Sequence, residues 1–222
     1  MFVAIAIEDM TLDELRPVLA AALPADAAFD GWTEAALAAT AARLGVDLEV
    51  AQLAFPGGAA QMIDAWFATV DMAMLAALAP EKRAEMKIRD RITALVEARL
   101  AALAPHREAL RRAQTLLANP RHAPLAARLG WRAADQMWRA AGDTATDYNH
   151  YTKRAILGGV YTATLMIFVN DDSEDWAETR AFLARRIEGI MRFEKAKAKW
   201  TAGGDRHFSM ARFLGRLRYP AL

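Results

Sequence analysis

The residues of this chain best suited to bind a metal are Asp147 and His150, a carboxylate and an imidazole three positions apart on a predicted helix. This spacing is half of the motif with which helical bundles hold two metal ions, and a complete site needs a second such pair and two further carboxylates. No other acidic residue is followed three positions later by a histidine. We therefore favour the simpler interpretation, in which Asp147 caps its helix and His150 lies in the exposed first turn.

The sequence contains no set of residues suited to covalent catalysis. It has no cysteine, which excludes disulfide frameworks, thiolate metal sites and thiol nucleophiles. The two serines, Ser173 and Ser209, have no recognisable partner base, and the glycine pairs lie outside any strand–helix phosphate motif. We predict that the protein is not an enzyme and that it binds neither a metal nor a cofactor.

Helices must position whatever site the chain carries. The 222 residues are 55% hydrophobic and 25% charged, which is enough for a core, and alternation of the strand type persists nowhere. A T-x-x-E capping box at Thr11 starts a first helix, and we expect Pro24 to end it after Ala22. Later helices are predicted at 148–170 and 176–198. The predicted fold class is all-α.

The first 79 residues are acidic, with 11 acidic and 2 basic side chains. The helix, turn and short helix from Thr33 to Ala54 resemble the helix-turn-helix of TetR-type regulators, whose second helix enters the major groove of DNA. Here that second helix, at 48–54, has no basic residue and only Gln52 to contact a base. We predict a degenerate helix-turn-helix-like domain over residues 10–79 that binds no nucleic acid.

Specific sequence blocks follow in the second half of the chain. They are A-D-x-x-W at 134–138, A-G-D-T-x-T-D at 141–147, Y-T-K-R-A at 151–155, V-Y-x-x-T at 160–164, and D-D-S with T-x-x-F-L-x-R-R-I within 171–187. Shorter pieces at 29–33 and 42–46 agree as well. On these residues nearly the whole chain resembles the Coq-nine family, the TetR-like lipid-binding accessory proteins of ubiquinone (coenzyme Q) biosynthesis.

The resemblance implies a homodimer with a helical lipid-binding domain over residues 80–200. Such a protein binds isoprenoid lipid and presents quinone intermediates to a membrane-associated hydroxylase, Coq-seven. Gly158 and Gly159 cost helix stability, which indicates either a close helix approach or space for a ligand. Large apolar side chains nearby are candidates to line a pocket, although such residues more often form ordinary core. They are Met137, Trp138, Leu157, Tyr161, Leu165, Met166 and Phe168.

A second set of residues matches a patch beside the family's lipid pocket. The family patch reads Asn-Trp-Tyr-Thr-Arg-Arg, and it corresponds here to residues 149–154, with His150 in place of the tryptophan. We expect the first turns of this helix to expose aromatic and cationic side chains, as interfaces do, with an ordinary solvated helix start as the alternative. The predicted partner surface is Asn149, His150, Tyr151, Lys153 and Arg154.

The carboxy-terminal segment, residues 201–222, is basic and amphipathic. From Lys195 onward the chain has 7 basic residues and 1 acidic residue. Apolar side chains at i, i+3, i+4 and i+7 form a stripe with arginines beside it, a pattern typical of helices that lie in a membrane interface. The alternative is that this helix packs on the protein's own core or on a second subunit. The predicted membrane-binding residues are Met210, Arg212, Phe213, Leu214, Arg216, Leu217 and Arg218.

The sequence lacks a run of about 18 apolar residues and a basic signal-peptide start. We predict a cytoplasmic protein that is peripheral on the inner face of the membrane. Two other functions stay open at this point. One is a ligand-responsive transcription regulator of the TetR type, and the other is a structural adaptor whose core is filled by its own side chains.

Overall fold

The computed structural model describes residues 7–144 and 148–202, in which ten α-helices and no β-strand form. The all-α fold class predicted from the sequence is confirmed. The helices are α1 (Leu12–Asp30), α2 (Glu34–Leu44), α3 (Leu48–Ala54), α4 (Gly58–Ala77), α5 (Pro80–Ala84), α6 (Ile88–Leu103), α7 (Arg107–Leu117), α8 (Ala123–Ala140), α9 (Tyr148–Phe168) and α10 (Ala177–Ala202).

The chain divides into two compact units within α10, between Leu183 and Ala184. Helices α1 to α9 belong to the first unit. The domain limits predicted at residues 79 and 200 stay predictions. No helix of the described residues is both long enough and apolar enough to cross a lipid bilayer.

Helix α1 begins at the predicted capping box but extends beyond its predicted end at Ala22. The Thr11 amide donates to the Glu14 carboxylate at 2.9 Å, and the Glu14 amide donates to the Thr11 hydroxyl at 3.4 Å, which completes the capping box. The prediction that Pro24 ends the helix is wrong, because α1 continues to Asp30. A proline inside a helix removes one backbone hydrogen bond. Pro24 is buried, so core packing offsets this loss, and the helix ends at Gly31, whose φ is +71°.

The predicted helix-turn-helix-like unit is present in α2 and α3. The Thr33 hydroxyl caps α2 by accepting a hydrogen bond from the Ala36 amide, and Gly45 ends the helix with a left-handed φ of +70°. The Asp47 carboxylate then caps α3 by accepting from the Glu49 amide at 2.8 Å. Local capping signals therefore account for both helix starts and for the turn between them.

Helix α4 joins this amino-terminal unit to the rest of the bundle by packing against α1, α6 and α8. The rings of Trp66 on α4 and Trp32 lie 5.0 Å apart, centroid to centroid. The Trp32 indole N–H donates to the carbonyl oxygen of Ala109 on α7 at 2.9 Å. This buried hydrogen bond ties the start of α2 to α7, so the amino-terminal helices share a core with the bundle.

Buried charges cross the bundle between α4, α6 and α8. Arg99 on α6 is 1% exposed and pairs with Asp71 on α4. Arg132 on α8 lies 3.1 Å from the second carboxylate oxygen of Asp71 and pairs with Asp64, two turns earlier on α4. An isolated ion costs several kcal/mol to bury. The alternation of charges therefore fixes the alignment of the three helices.

Asp171 fixes the turn between α9 and α10. It is 2% exposed, and its carboxylate accepts four hydrogen bonds, from the amide and hydroxyl of both Ser173 and Thr179. Burial alone would raise the pKa of this carboxyl, but the hydrogen bonds outweigh burial and lower the pKa to about 2. The ionised carboxylate is therefore the form that holds the start of α10.

We predict that Asp171→Asn lowers the free energy of unfolding at neutral pH by about 2 kcal/mol, the linkage value of a pKa shift from 3.8 to about 2. Because the folded-state pKa is depressed, this contribution is fully present above about pH 4 and is lost as the pH falls toward about 2. Urea denaturation of wild type and variant should therefore give curves that converge over that range.

The matched control for this prediction is Asp172→Asn. The Asp172 side chain is 95% exposed and lies 3.5 Å from Arg107, so its loss should change the free energy of unfolding by less than about 1 kcal/mol. A stability difference between wild type and Asp171→Asn that stays constant from neutral pH to about pH 2 would contradict the assignment.

Candidate functional site

Helices α8 and α9 come closest at Gly130 and Gly158. A Cβ atom added to Gly158 would lie 3.3 Å from the carbonyl oxygen of Gly130, tighter than most real contacts. A Cβ atom added to Gly159 would meet no atom within 4 Å. The glycine pair therefore has two explanations: Gly158 permits the close approach of α8, and Gly159 leaves space beside it.

That space is part of an open groove of about 440 Å³ between α8 and α9. Most of its walls are formed by alanine and glycine. The groove is open because these residues have small side chains or none. Arg154 lies at one wall, and Trp131 and Met166 provide the large apolar surface. The small residues that line it are Ala126, Ala127, Gly130, Ala155, Gly158, Gly159, Thr162 and Ala163.

A cavity of about 170 Å³ adjoins the groove and shares Ala126, Gly130, Thr162 and Met166 with it. Of the seven predicted lipid-lining residues, Tyr161, Leu165 and Met166 line this cavity. Tyr161 and Leu165 are buried and lie one helical turn apart on α9, and the neighbouring Met166 is 62% exposed.

The other predicted lining residues occupy different positions. Met137, Leu157 and Phe168 are at most 1% exposed and belong to the core, and they are not among the residues that line the groove or this cavity. Trp138 is half-buried, and its indole N–H donates to the carbonyl oxygen of Lys153 at 3.1 Å. The sequence pattern does not distinguish side chains of the core from side chains that line the groove or the cavity.

Arg154 is the centre of a buried ion cluster, and the prediction that it is exposed is wrong. It is 1% exposed. Its Nε donates to Asp135 at 2.6 Å, and its Nη1 donates to Asp143 at 3.1 Å and to the His150 carbonyl oxygen at 3.1 Å. Lys153, which is half-buried, donates to the other oxygen of Asp143 at 2.8 Å. The cluster holds α8, the following turn and the start of α9 together.

The backbone of the turn after α8 places the Asp143 carboxylate in this cluster. Gly142 has a φ of +90°, which only glycine adopts without strain, and Arg91 on α6 donates to the carbonyl oxygen of Ala141 at 2.8 Å. Burial tends to raise the pKa of Asp143, but hydrogen bonds from Lys153 and Arg154 outweigh it and lower the pKa. Asp143 therefore stays ionised as the shared counter-charge.

An exposed aromatic patch lies at the start of α9. Tyr151 is 61% exposed, and its ring centroid lies 6.1 Å from that of Trp131 on α8 and 5.1 Å from the His150 ring. The side chain of Asn149, also predicted for this surface, lies outside the described residues. Trp131 was missed in the sequence because a single tryptophan on a helix gives no sign of which neighbour it meets.

The described residues contain no group of three or more histidine, aspartate or glutamate side chains that could hold a metal ion. The predicted half-motif cannot be followed further, because Asp147 lies outside the described residues. The seven predicted membrane-binding residues between Met210 and Arg218 also lie outside them.

Comparison with known proteins relates this chain to one family. Residues 123–194 match the COQ9 family. The chain is 34% identical over 169 residues to "Ubiquinone biosynthesis protein COQ9, mitochondrial" of Bos taurus, which covers 72% of this chain and 52% of that protein. The Homo sapiens protein of the same name is 32% identical, again over 72% of this chain and 52% of that protein. The chain spans about half the length of the curated relatives it matches.

A solved structure confirms the predicted TetR-like fold. The crystal structure of the TetR transcriptional regulator from Nitrosomonas europaea superposes with a TM-score of 0.64 and 26% sequence identity. The match covers 78% of this chain and 96% of that one. The amino-terminal three-helix unit followed by a helical domain is therefore an arrangement that the two proteins share.

We predict that Arg154→Met destabilises the protein by about 3 kcal/mol, because it removes the buried cation that pairs with both Asp135 and Asp143, whose side chains are 20% and 5% exposed. The control Lys153→Met removes a half-buried ammonium from the same cluster and should cost less than about 1 kcal/mol. Chemical denaturation of the three proteins tests this order. Equal, small losses for both variants would contradict a buried structural role for Arg154.

Proposed function

Because the chain belongs to the COQ9 family, we propose that it is a non-catalytic lipid-binding protein of ubiquinone biosynthesis, which binds isoprenoid lipid and presents quinone intermediates to a membrane-associated hydroxylase. The observation that carries this proposal is the groove between α8 and α9, with Gly159 open to it. An isoprenoid chain is narrow, apolar and branched by methyl groups, so a groove with alanine and glycine walls matches its shape and polarity.

The aromatic patch at the start of α9 supports a partner contact at the end of this groove. Tyr151 is exposed and stays a predicted contact with the partner protein. Arg154 is buried, so we no longer include it in the predicted partner surface. The family patch has a tryptophan where this chain has His150. Trp131, 38% exposed and next to Tyr151, offers an indole on the same surface. Aromatic side chains with one exposed edge are typical anchors of protein interfaces.

A TetR-type regulator that responds to a ligand is the second candidate function, and the surface of α3 disfavours it. The exposed large apolar side chains of that helix are Leu48, Val50 and Leu53. The Gln52 amide, the one group suited to read a base, donates to the Glu34 carboxylate. DNA binding needs cations opposite the phosphates, and α3 contains none. The homodimer implied by the resemblance stays a prediction, as does the cytoplasmic location.

We predict that the purified protein carries a long-chain apolar lipid and that Gly159→Leu displaces it. The leucine side chain would occupy the space that Gly159 leaves open, and leucine also favours a helix by almost 1 kcal/mol over glycine. Organic extraction and mass spectrometry should therefore find at least about threefold less lipid in the variant, while its melting temperature equals or exceeds that of wild-type protein from which lipid has been removed.

The control for the lipid experiment is Gly189→Leu on α10. This glycine also has no atom within 4 Å of an added Cβ, and it is not among the residues that line the groove. Its lipid content should equal that of the wild type. The proposal fails if well-folded wild-type protein repeatedly yields no isoprenoid, phospholipid or fatty acid.

The carboxy-terminal segment supplies the membrane part of the proposal. The sequence places a stripe of apolar residues beside three arginines in 210–218, and each cation near an anionic surface contributes about 1 kcal/mol to binding. We predict that deleting residues 205–222 leaves a folded protein that no longer sediments with vesicles containing anionic lipid. Sedimentation of the truncated protein as complete as that of the full chain would contradict the prediction.

A further inference from the structure

The cavity next to the groove has one polar end. Its walls come from α4, α6, α7, α8 and α9, and apolar side chains such as Phe67, Leu129 and Leu165 form most of them. Arg99 and Tyr161, 1% and 3% exposed, also line it. Among the described residues that line this cavity, none is acidic. An apolar space with a few converging polar groups is the usual form of a small-molecule site.

Two hydrogen-bond donors at this polar end lack acceptors. In the part of the chain that the structure describes, the Arg99 Nε and the Tyr161 hydroxyl are buried and have no hydrogen-bond partner. The two groups are neighbours, because the Arg99 guanidinium carbon lies 4.9 Å from the centroid of the Tyr161 ring. A buried donor without an acceptor destabilises the folded protein. A ligand that accepts a hydrogen bond from each of them would remove this cost.

The ion pairs around Arg99 favour a ligand with a negative charge. Asp71, which pairs with Arg99, is shared with Arg132. Asp64, the second carboxylate beside Arg132, is shared in turn with Arg128. Three guanidinium groups therefore have two carboxylates between them, and guanidinium groups keep their protons in proteins. A ligand with a single negative charge would make the two numbers equal.

Tyr161 is available as a donor to such a ligand. Burial raises the pKa of its hydroxyl, so the phenol stays protonated at neutral pH. A carboxylate has two acceptor oxygens and no proton, so it can accept one hydrogen bond from the guanidinium and one from the phenol. Hydrogen bonds to an ionised acceptor are about twice as strong as those between neutral groups.

The size of the cavity limits the rest of the ligand to a small apolar body. Its volume of about 170 Å³ is close to the roughly 150 Å³ of an engineered apolar cavity that binds benzene. A body of about six carbon atoms therefore fits, and a long chain does not. The apolar walls disfavour inorganic phosphate or sulfate, because such an ion would lose its hydration without gaining enough hydrogen bonds.

We propose that Arg99 and Tyr161 bind the carboxylate of a small apolar acid in this cavity, at a site separate from the lipid groove. The two spaces adjoin, but Gly159 lines only the groove, and Arg99 and Tyr161 line only the cavity. The small acid is a second, water-soluble ligand, so its site does not depend on lipid binding.

The test is a calorimetric titration of the full chain with hexanoate and with hexanamide, a neutral ligand of the same length. Tyr161→Phe removes only the hydroxyl, which has no partner in the protein to leave unpaired, so its melting temperature should equal that of the wild type. The matched control is Tyr151→Phe, the same change on an exposed tyrosine that is not among the residues that line the cavity.

We expect the wild type to bind hexanoate at least about tenfold more tightly than hexanamide, and Tyr161→Phe to bind hexanoate at least about tenfold more weakly than the wild type does. Tyr151→Phe should bind both ligands with wild-type affinity. The comparison of the two ligands on the wild type depends on no variant. The carboxylate site is overturned if hexanoate does not bind at millimolar concentration, if hexanamide binds equally well, or if Tyr161→Phe leaves the hexanoate affinity unchanged.

Gly159→Leu separates this site from the lipid groove. The leucine would fill space in the groove and none in the cavity, so the variant should bind hexanoate with wild-type affinity while its lipid content falls. Parallel loss of hexanoate and lipid would mean that hexanoate occupies the groove, which overturns the separate site. Purified wild type that contains no lipid but binds hexanoate through Tyr161 would refute the proposed function and leave the carboxylate site standing.

Discussion

A charge that cannot be removed sits in the middle of this helical bundle. The guanidinium of Arg99 stays protonated under any physiological condition and is almost completely buried, so the surrounding helices have to supply its counter-charge. Asp71 on α4 does so, Arg132 on α8 shares that carboxylate, and the Tyr161 ring on α9 lies against the cation. Four helices are thereby held in one relative arrangement. Arg99 and Tyr161 also line the cavity of about 170 Å³ beside the groove.

A second ion cluster explains why the most distinctive sequence blocks of the chain are where they are. Asp135, Asp143, Lys153 and Arg154 come from three separate blocks and meet in one buried network. These residues are therefore needed to set the distance between α8 and α9. The width of the groove beside Gly159 follows from that distance. The sequence blocks that relate the chain to the family therefore contain residues that hold α8 and α9 together. They indicate a binding site only indirectly.

Local signals predicted where α1 begins, and tertiary contacts determined where that helix ends and which side chains of α9 are buried. The capping box at Thr11 was predicted, because a cap depends on a few neighbouring residues. The continuation of α1 past Pro24 was missed, because burial of that ring depends on helices distant in the sequence. Tyr151 and Arg154 lie three positions apart on one helix, yet one is 61% and the other 1% exposed. Their exposure differs because Arg154 pairs with Asp135 on α8 and with Asp143 in the following turn.

If the groove holds a ligand, Gly159 links the supply of that ligand to the amount of folded protein. A glycine inside α9 weakens the helix by about 1 kcal/mol relative to alanine, and no packing contact replaces the missing side chain. An occupant of the groove would restore contacts at this point. Because a ligand at a hundred times its dissociation constant adds about 2.7 kcal/mol to stability, the empty protein would be unfolded and degraded first. A cell poor in the ligand would then hold less of its carrier, with no change in synthesis of the protein.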